Sequence, residues 1–146
     1  MLVGDSHAKV MHRPFADEFA AAGLQLDATY LPGCSFLAGS SSDPSLCLDW
    51  QTRTLRTLLE DPPDAVIIAG YTTALVTGFK DGTHVDFDIW DSKGHRANSE
   101  RQALAFYEAG LSAVVNELSG AGIRVLLLSS IPDFERGPFE RISLSA

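Results

Sequence analysis

The sequence predicts a three-layer α/β/α fold around a mainly parallel β-sheet. Residues 65–69 are a continuous apolar run, and residues 123–128 are apolar except for Arg124; such runs are typical of strands covered by helices on both faces. Segments with helical apolar spacing alternate with these runs and with shorter strand-like segments. Such alternation through short turns favours right-handed parallel crossovers, which place helices on both sides of the sheet.

Composition limits the class of protein. The chain has 146 residues, 45% of them hydrophobic and 21% charged, which suits a single domain over residues 1–146. The net charge is -8 and lysine and arginine form no cluster, so we expect no nucleic-acid partner. The longest apolar stretch, residues 65–76, contains Gly70, Tyr71 and several threonines, so it falls short of the roughly 18 apolar residues of a membrane span.

The chain opens with a predicted strand, turn and helix. A short apolar start leads into Gly4-Asp5-Ser6-His7, and the apolar spacing of residues 8–22 predicts the first helix. Pro14 predicts either a kink or a helix that begins near residues 12–13. Ser6 therefore lies at the carboxyl end of a strand, where a serine can be a nucleophile or an ordinary helix N-cap.

The middle of the chain continues the alternation. Residues 24–30 alternate in polarity and predict a short strand, and residues 34–47 have the composition of a loop. Apolar residues between 50 and 59 predict a second helix, which Asp61-Pro62-Pro63 ends. The strand at 65–69 follows.

The last part of the chain begins with a break in the pattern. Residues 77–97 predict a loop or small hairpin that projects from the sheet edge. Asn98 or Ser99 is the predicted N-cap of a long helix, which ends near residues 120–122. Its buried stripe is predicted to consist of Leu104, Tyr107, Leu111, Val114, Val115 and Leu118. The strand at 123–128 follows, and the remainder is irregular.

The turns that follow the predicted strands carry the polar residues of interest. In parallel α/β sheets, ligands bind at the carboxyl ends of the strands. Four segments are expected to meet there: Asp5-Ser6-His7, Pro32-Gly33-Cys34, Gly70-Tyr71-Thr72 and Ser130-Ile131-Pro132. We therefore expect the functional site at this edge.

These blocks resemble, in order and position, those of the SGNH hydrolases, also called GDSL-like esterases. More narrowly, the opening GDSHA, the spacing of the two cysteines and the late Ser-Ser-Ile-Pro are similar to the SGNH domain fused to acyltransferase-3 membrane proteins, which acylate cell-surface polysaccharides. The resemblance implies a flavodoxin-like SGNH hydrolase fold. It also implies that the family's C-terminal Asp-x-x-His block would lie beyond Ala146.

The resemblance also implies roles for individual residues. Ser6 would be the nucleophile, and the backbone amides of Ser6 and Gly33 would bind the oxyanion. Gly70 matches the glycine of the family's Gly-x-Asn-Asp block, whereas Thr72 stands where the family has the asparagine that completes the oxyanion hole. A threonine hydroxyl could donate one hydrogen bond from a shorter arm.

The catalytic base is the largest departure from the family. The four histidines are His7, His12, His84 and His95, and none lies in a C-terminal Asp-x-x-His block. His7 is expected to pack or hydrogen bond beside the site, because neighbouring side chains on a turn tend to diverge. Asp81 and His84 have the family's spacing, but such a short pattern has low specificity.

The cysteines and the remaining histidines show no zinc-site spacing, and we expect no metal and no cofactor. The family's extracytoplasmic location implies a Cys34–Cys47 disulfide, whereas two reduced thiols would be expected in a cytosolic protein.

Two functions remain open from the sequence. In the first, the chain is an acyl-transfer or esterase domain with an acyl donor and a carbohydrate acceptor as partners, tethered to the membrane in the full-length protein by a fused acyltransferase-3 domain. In the second, a non-catalytic domain of the same fold binds carbohydrate or a protein through the cleft at the strand ends. The missing asparagine and the missing Asp-x-x-His block favour the second.

Overall fold

The computed structural model describes residues 1–39, 43–81 and 84–128. In chain order its elements are β1 (Leu2–Gly4), α1 (Ser6–Ala21), β2 (Ala28–Tyr30), α2 (Pro44–Glu60), β3 (Ala65–Ala69), α3 (Thr72–Thr77), β4 (Phe79–Asp81), β5 (His84–Asp86), α4 (Glu100–Gly120) and β6 (Arg124–Leu128). The predicted segment Ser130-Ile131-Pro132 lies outside the described residues.

Four parallel strands form the central sheet in the order β2-β1-β3-β6. Strand β1 is therefore an inner strand, and its register pairs Gly4 with Tyr30 of β2 and with Ala69 of β3. Because all four strands point the same way, the turns after β1, β2 and β3 leave the sheet at one edge. The α/β class with a parallel sheet is confirmed.

Helices cover both faces of the sheet. Alternate strand residues Leu2 and Ile67 pack against α1, together with partly buried Met11, Phe15 and Phe19. The opposite face packs against α2 and α4; its core consists of Val3, Val66, Ile68, Leu58, Val114, Leu118, Ile123 and Phe36. Strand residues alternate between the two faces, so a buried run is apolar throughout. The three-layer arrangement follows from this sequence pattern.

Helix α1 begins at Ser6, which is earlier than the start near residues 12–13 that was one of the two predictions from Pro14. Asp5, in an extended conformation, caps the helix, and Pro14 lies inside it. Proline has no amide proton, so the carbonyl of Val10, four residues before Pro14, has no helical hydrogen-bond donor. Val10 is 75% exposed. Proline is tolerated because this side of α1 faces solvent, and the prediction of a start near residues 12–13 is wrong.

Three other element boundaries differ from the predictions. The strand predicted over residues 24–30 is paired only at Ala28–Tyr30. Helix α2 begins at Pro44, capped by Asp43, so Cys47 lies in its first turn rather than at the end of a loop. The short helix α3 was not predicted, because Gly70, Tyr71 and the threonines of this segment favour a turn.

Helix α4 and strand β6 were located correctly but are less buried than predicted. Ser99 is the N-cap of α4, whereas Leu104 is 40% exposed and Ala103 takes the buried position beside it. Among the described residues β6 pairs only with β3, and Leu126 and Leu127 are 50% and 53% exposed. A mostly apolar run occurs in both inner and edge strands, so the sequence does not predict which of the two β6 is.

The segment between α3 and α4 contains an antiparallel hairpin, β4–β5. The residues after the hairpin form a third apolar cluster, in which fully buried Ile89 packs against Leu37 and against Ala97 and Ala103. This part of the chain is therefore held against the loop before α2 and the first turns of α4.

The close approach of β1 and β3 leads to a first prediction. A Cβ added at Gly4 would lie 1.7 Å from the carbonyl oxygen of Ala69, which is part of the paired backbone. Because neither strand can retreat without breaking the sheet, we expect Gly4→Ala to lower the free energy of unfolding by about 3 kcal/mol or more, as measured by urea denaturation.

Gly120→Ala is the matched control. A Cβ at Gly120 meets no atom within 4 Å, so this substitution is expected to be neutral or to stabilise by up to about 1 kcal/mol. Equal stability of Gly4→Ala and the wild type would contradict the close packing of β1 on β3.

Candidate active site

The turns after β1, β2 and β3 meet at the carboxyl edge of the sheet, as expected. The Leu31 amide donates to the Gly4 carbonyl at 3.0 Å, and the Cys34 amide donates to the Leu31 carbonyl at 3.0 Å. The second bond closes a turn in which Gly33 has φ of +80°, the conformation that a Pro-Gly turn of type II requires. The Pro32-Gly33 turn is thus attached directly to the end of β1.

Ser6 is the first residue of α1 and is exposed. The capping function that its position suggested belongs instead to Asp5, whose carboxylate accepts from the His7 amide at 2.7 Å. An N-cap aspartate satisfies one of the unpaired amides at a helix start. The hydroxyl of Ser6 is therefore not needed to cap the helix.

Asp5 has a second partner on another turn. Its Oδ2 atom accepts from the Tyr71 amide at 2.7 Å, across a sequence separation of 66 residues. The side chain is buried, with 4% of the residue exposed. A buried carboxylate is stable only when its oxygens are hydrogen bonded, and here both are. The sequence does not predict this second contact, because Asp5 and Tyr71 are 66 residues apart.

His7 lies beside the site and is bound to the same carboxylate. Its Nδ1 atom is 3.3 Å from Asp5 Oδ1, and its ring stacks on Tyr71 with centroids 5.0 Å apart. A carboxylate oxygen only accepts, so this contact places the proton on Nδ1. Successive positions on a helix do not face each other. His7 therefore occupies a packing and hydrogen-bonding position rather than that of a base for Ser6.

The third turn brings Gly70 and Thr72 to the same edge. A Cβ added at Gly70 would lie 3.2 Å from Asp5 Oδ2 and 3.7 Å from the buried Ser35 hydroxyl. A side chain at this position would press on the Asp5 carboxylate, which would have to shift slightly to make room. Ser35 in turn accepts a hydrogen bond at its carbonyl from Gln51 Nε2 at 2.6 Å, which ties the loop to α2.

The hydroxyl of Thr72 has a partner on α4. It is hydrogen bonded to the Tyr107 phenol, whose pKa is raised by burial and lowered to a lesser extent by this bond. This bond lowers the pKa because Thr72 donates to the phenol oxygen, which favours the phenolate; burial has the larger effect and keeps the phenol protonated at neutral pH. Both side chains line a cavity of about 30 Å³ together with Ser35 and Gly70.

Cys34 and Cys47 form a disulfide, as the resemblance implied. Both residues are buried, and the bridge joins the Pro32-Gly33 turn to the first turn of α2. The bond restrains the chain segment that carries Gly33 and Ser35.

The other histidines of the described chain lie elsewhere. His12 is half-buried, with its ring centroid 6.2 Å from that of Tyr30. His95 is exposed and pairs with Asp91 at 3.1 Å. Among the described residues, no group of three or more His, Cys, Asp or Glu could hold a metal ion.

A comparison with protein-family models identifies the domain. The model described as the SGNH domain fused to AT3 (acyltransferase-3) domains matches residues 1–145. The chain belongs to the SGNH domain family. No curated protein and no solved structure matches it. In the part of this SGNH domain that the structure describes, no helix is long and apolar enough to cross a membrane.

The disulfide leads to a second prediction. Closing a loop of this length stabilises a protein by about 3 kcal/mol in the chain-entropy model. We expect the double variant Cys34→Ala/Cys47→Ala to lose about that much free energy of unfolding, measured by urea denaturation without reductant. Reductant should destabilise the wild type and leave the double variant unchanged; a wild type insensitive to reductant, with free thiols by mass spectrometry, would contradict the bridge.

Proposed function

We propose that this SGNH domain catalyses serine acyl transfer on cell-surface carbohydrate. The Ser6 oxygen adds to the carbonyl carbon of an acyl ester as a base removes its proton; the bond to the leaving oxygen then breaks as that oxygen takes up this proton. A sugar hydroxyl or water then attacks the acyl-Ser6 ester and loses its proton, while the bond to Ser6 breaks and Ser6 regains a proton. The acyl donor and the carbohydrate acceptor are those that the family resemblance implies.

The observation that carries the proposal is the position of Ser6. It is exposed at the start of α1, directly after an inner strand, while Asp5 caps the helix in its place. A serine here has its hydroxyl at the edge where ligands of α/β proteins bind, beside the amides of a helix start that stabilise negative charge.

Three groups are proposed to stabilise the oxyanion. Two are the backbone amides of Ser6 and Gly33, carried by turns that the Leu31–Gly4 hydrogen bond joins. The third is the Thr72 hydroxyl on the turn that begins at Gly70. The Thr72 hydroxyl contacts the Tyr107 phenol, so its proton would turn from the phenol oxygen to the oxyanion when substrate binds. Thr72 would thereby take the place of the family's asparagine.

The reaction also needs a base for Ser6. A positioned base contributes about 100- to 10,000-fold to such reactions. His7 follows Ser6 on the helix and is bound to Asp5, and His12 and His95 lie elsewhere. His84 lies in the β4–β5 hairpin. The proposal therefore requires a base other than His7, His12 and His95, and its test uses the full-length protein.

The disulfide supports an extracytoplasmic location for the domain. Disulfides persist in oxidising compartments and are rare in the cytosol. The fusion to AT3 domains that characterises the family supports a membrane-tethered arrangement in which the AT3 domain supplies the acyl group.

Labelling with a fluorophosphonate tests the nucleophile. We expect the full-length protein to be labelled at Ser6 and the Ser6→Ala variant to remain unlabelled. Equal labelling of the two proteins, or no labelling of either, would exclude Ser6 as an acyl-transfer nucleophile. Glycan binding that is unchanged in Ser6→Ala would then support the non-catalytic binding domain, which the missing asparagine favours.

Thr72 provides a further prediction. Thr72→Val removes the hydroxyl at nearly constant volume, and loss of one oxyanion donor typically lowers turnover by about 100- to 1,000-fold. We expect a decrease of about 100-fold in kcat for hydrolysis of an activated acetyl ester, with little change in KM. Thr72→Ser keeps the hydroxyl and should retain most of the activity; equal activity of the valine variant would show that Thr72 does not contact the oxyanion.

A further inference from the structure

The Asp5 carboxylate joins two turns that are far apart in the sequence. Its Oδ1 atom binds the start of α1 through the His7 amide, and its Oδ2 atom binds the Tyr71 amide, both at 2.7 Å. The first turn carries Ser6 and the second carries Gly70 and Thr72. One side chain therefore sets the position of the nucleophile relative to the third turn.

Capping alone does not account for this arrangement. The caps of the other long helices, Asp43 and Ser99, are exposed, and within the described residues the hydrogen-bond donors that reach them belong to their own helices. Asp5 differs in being buried and in using its second oxygen for an amide 66 residues away. A helix cap requires neither burial nor a distant partner.

The position of the carboxylate is fixed from several sides. Gly70 leaves no spare room beside Oδ2, because an added Cβ would lie only 3.2 Å from it. The stacked rings of His7 and Tyr71 join the same two turns a second time, with an interplanar angle of 18°. Hydrogen bonds to an ionised acceptor are roughly twice as strong as neutral ones. The two turns are thus held as one unit.

We propose that Asp5 is a positioning residue that aligns the Ser6 hydroxyl with the oxyanion-binding turn that begins at Gly70. The alignment claim rests on the proposed acyl-transfer function; the bridge between the turns does not. Asp5 contacts neither the acyl group nor the acceptor. Its effect is geometric, and misplacement of reacting groups by about 1 Å can lower a rate about 100-fold.

The Asp5→Ser substitution tests the hydrogen bond to the Tyr71 amide separately from the capping of α1. Serine is as good an N-cap as aspartate, so the His7 amide keeps an acceptor. Its single oxygen on a shorter arm cannot also reach the Tyr71 amide. By amide hydrogen exchange followed by NMR, we expect the Tyr71 amide to exchange at least about 10-fold faster than in the wild type, while the His7 amide stays within about threefold.

The second measurement is the labelling of Ser6 in the full-length protein by a fluorophosphonate, resolved into the maximal rate kinact and the half-saturating concentration KI. We expect Asp5→Ser to lower kinact about 10- to 100-fold with KI nearly unchanged. Ser99→Ala, which removes the cap of α4, is the matched control and should leave both constants unchanged. A purely structural role would lower the unfolding midpoint and leave kinact of the folded protein unaltered.

The outcomes are distinguishable. Unchanged exchange at Tyr71 would overturn the bridge whatever the activity of the protein, and faster exchange with wild-type kinact would overturn the positioning role. Absence of wild-type labelling would overturn the acyl-transfer function and, with it, the alignment with an oxyanion site. If Asp5→Ser does not fold, Gly70→Ala is the second variant, because its added Cβ presses on the Asp5 carboxylate while Asp5 still caps α1. We expect Gly70→Ala to show faster exchange of the Tyr71 amide and a lower kinact. If either change is absent, the proposal is wrong.

Discussion

The structure of the site depends on one buried carboxylate. Asp5 accepts from amides on two different turns, and a side chain without a second oxygen could serve only one of them. Its burial behind Gly70 makes both hydrogen bonds obligatory, because a buried acceptor left unpaired costs about 1–3 kcal/mol. The two hydrogen bonds of Asp5 therefore determine the position of Ser6 relative to Gly70 and Thr72.

The rest of the framework supports this arrangement from the neighbouring strands. Gly4 lets β1 approach the Ala69 carbonyl closely, which brings the ends of β1 and β3 together. The disulfide and the Gln51 hydrogen bond hold the Pro32-Gly33 loop against α2. The three turns are therefore fixed by covalent, hydrogen-bond and packing contacts. Such restraint is what a preorganised oxyanion site requires.

Much of this architecture could be predicted from the sequence, because its signals are local. The apolar run at Ala65–Ala69 and the cap and stripe of α4 gave the elements and their order. The burial of β6, the extent of α2 and the presence of α3 could not be predicted, because they depend on tertiary neighbours. The role of Asp5 was missed for the same reason: its decisive partner, Tyr71, is 66 residues away. The contact between Thr72 and Tyr107 joins α3 to α4. The packing of these two helices cannot be predicted from the sequence of either one.

The proposed acyl transfer requires Ser6 to carry the acyl group. The most direct measurement is to mix the full-length protein with an activated acetyl ester, quench with acid before turnover is complete, and map the modified peptide by mass spectrometry. The account predicts one acetyl group on Ser6, absent from Ser6→Ala. An acetyl group on another residue, or none on Ser6 while the ester is turned over, would contradict it.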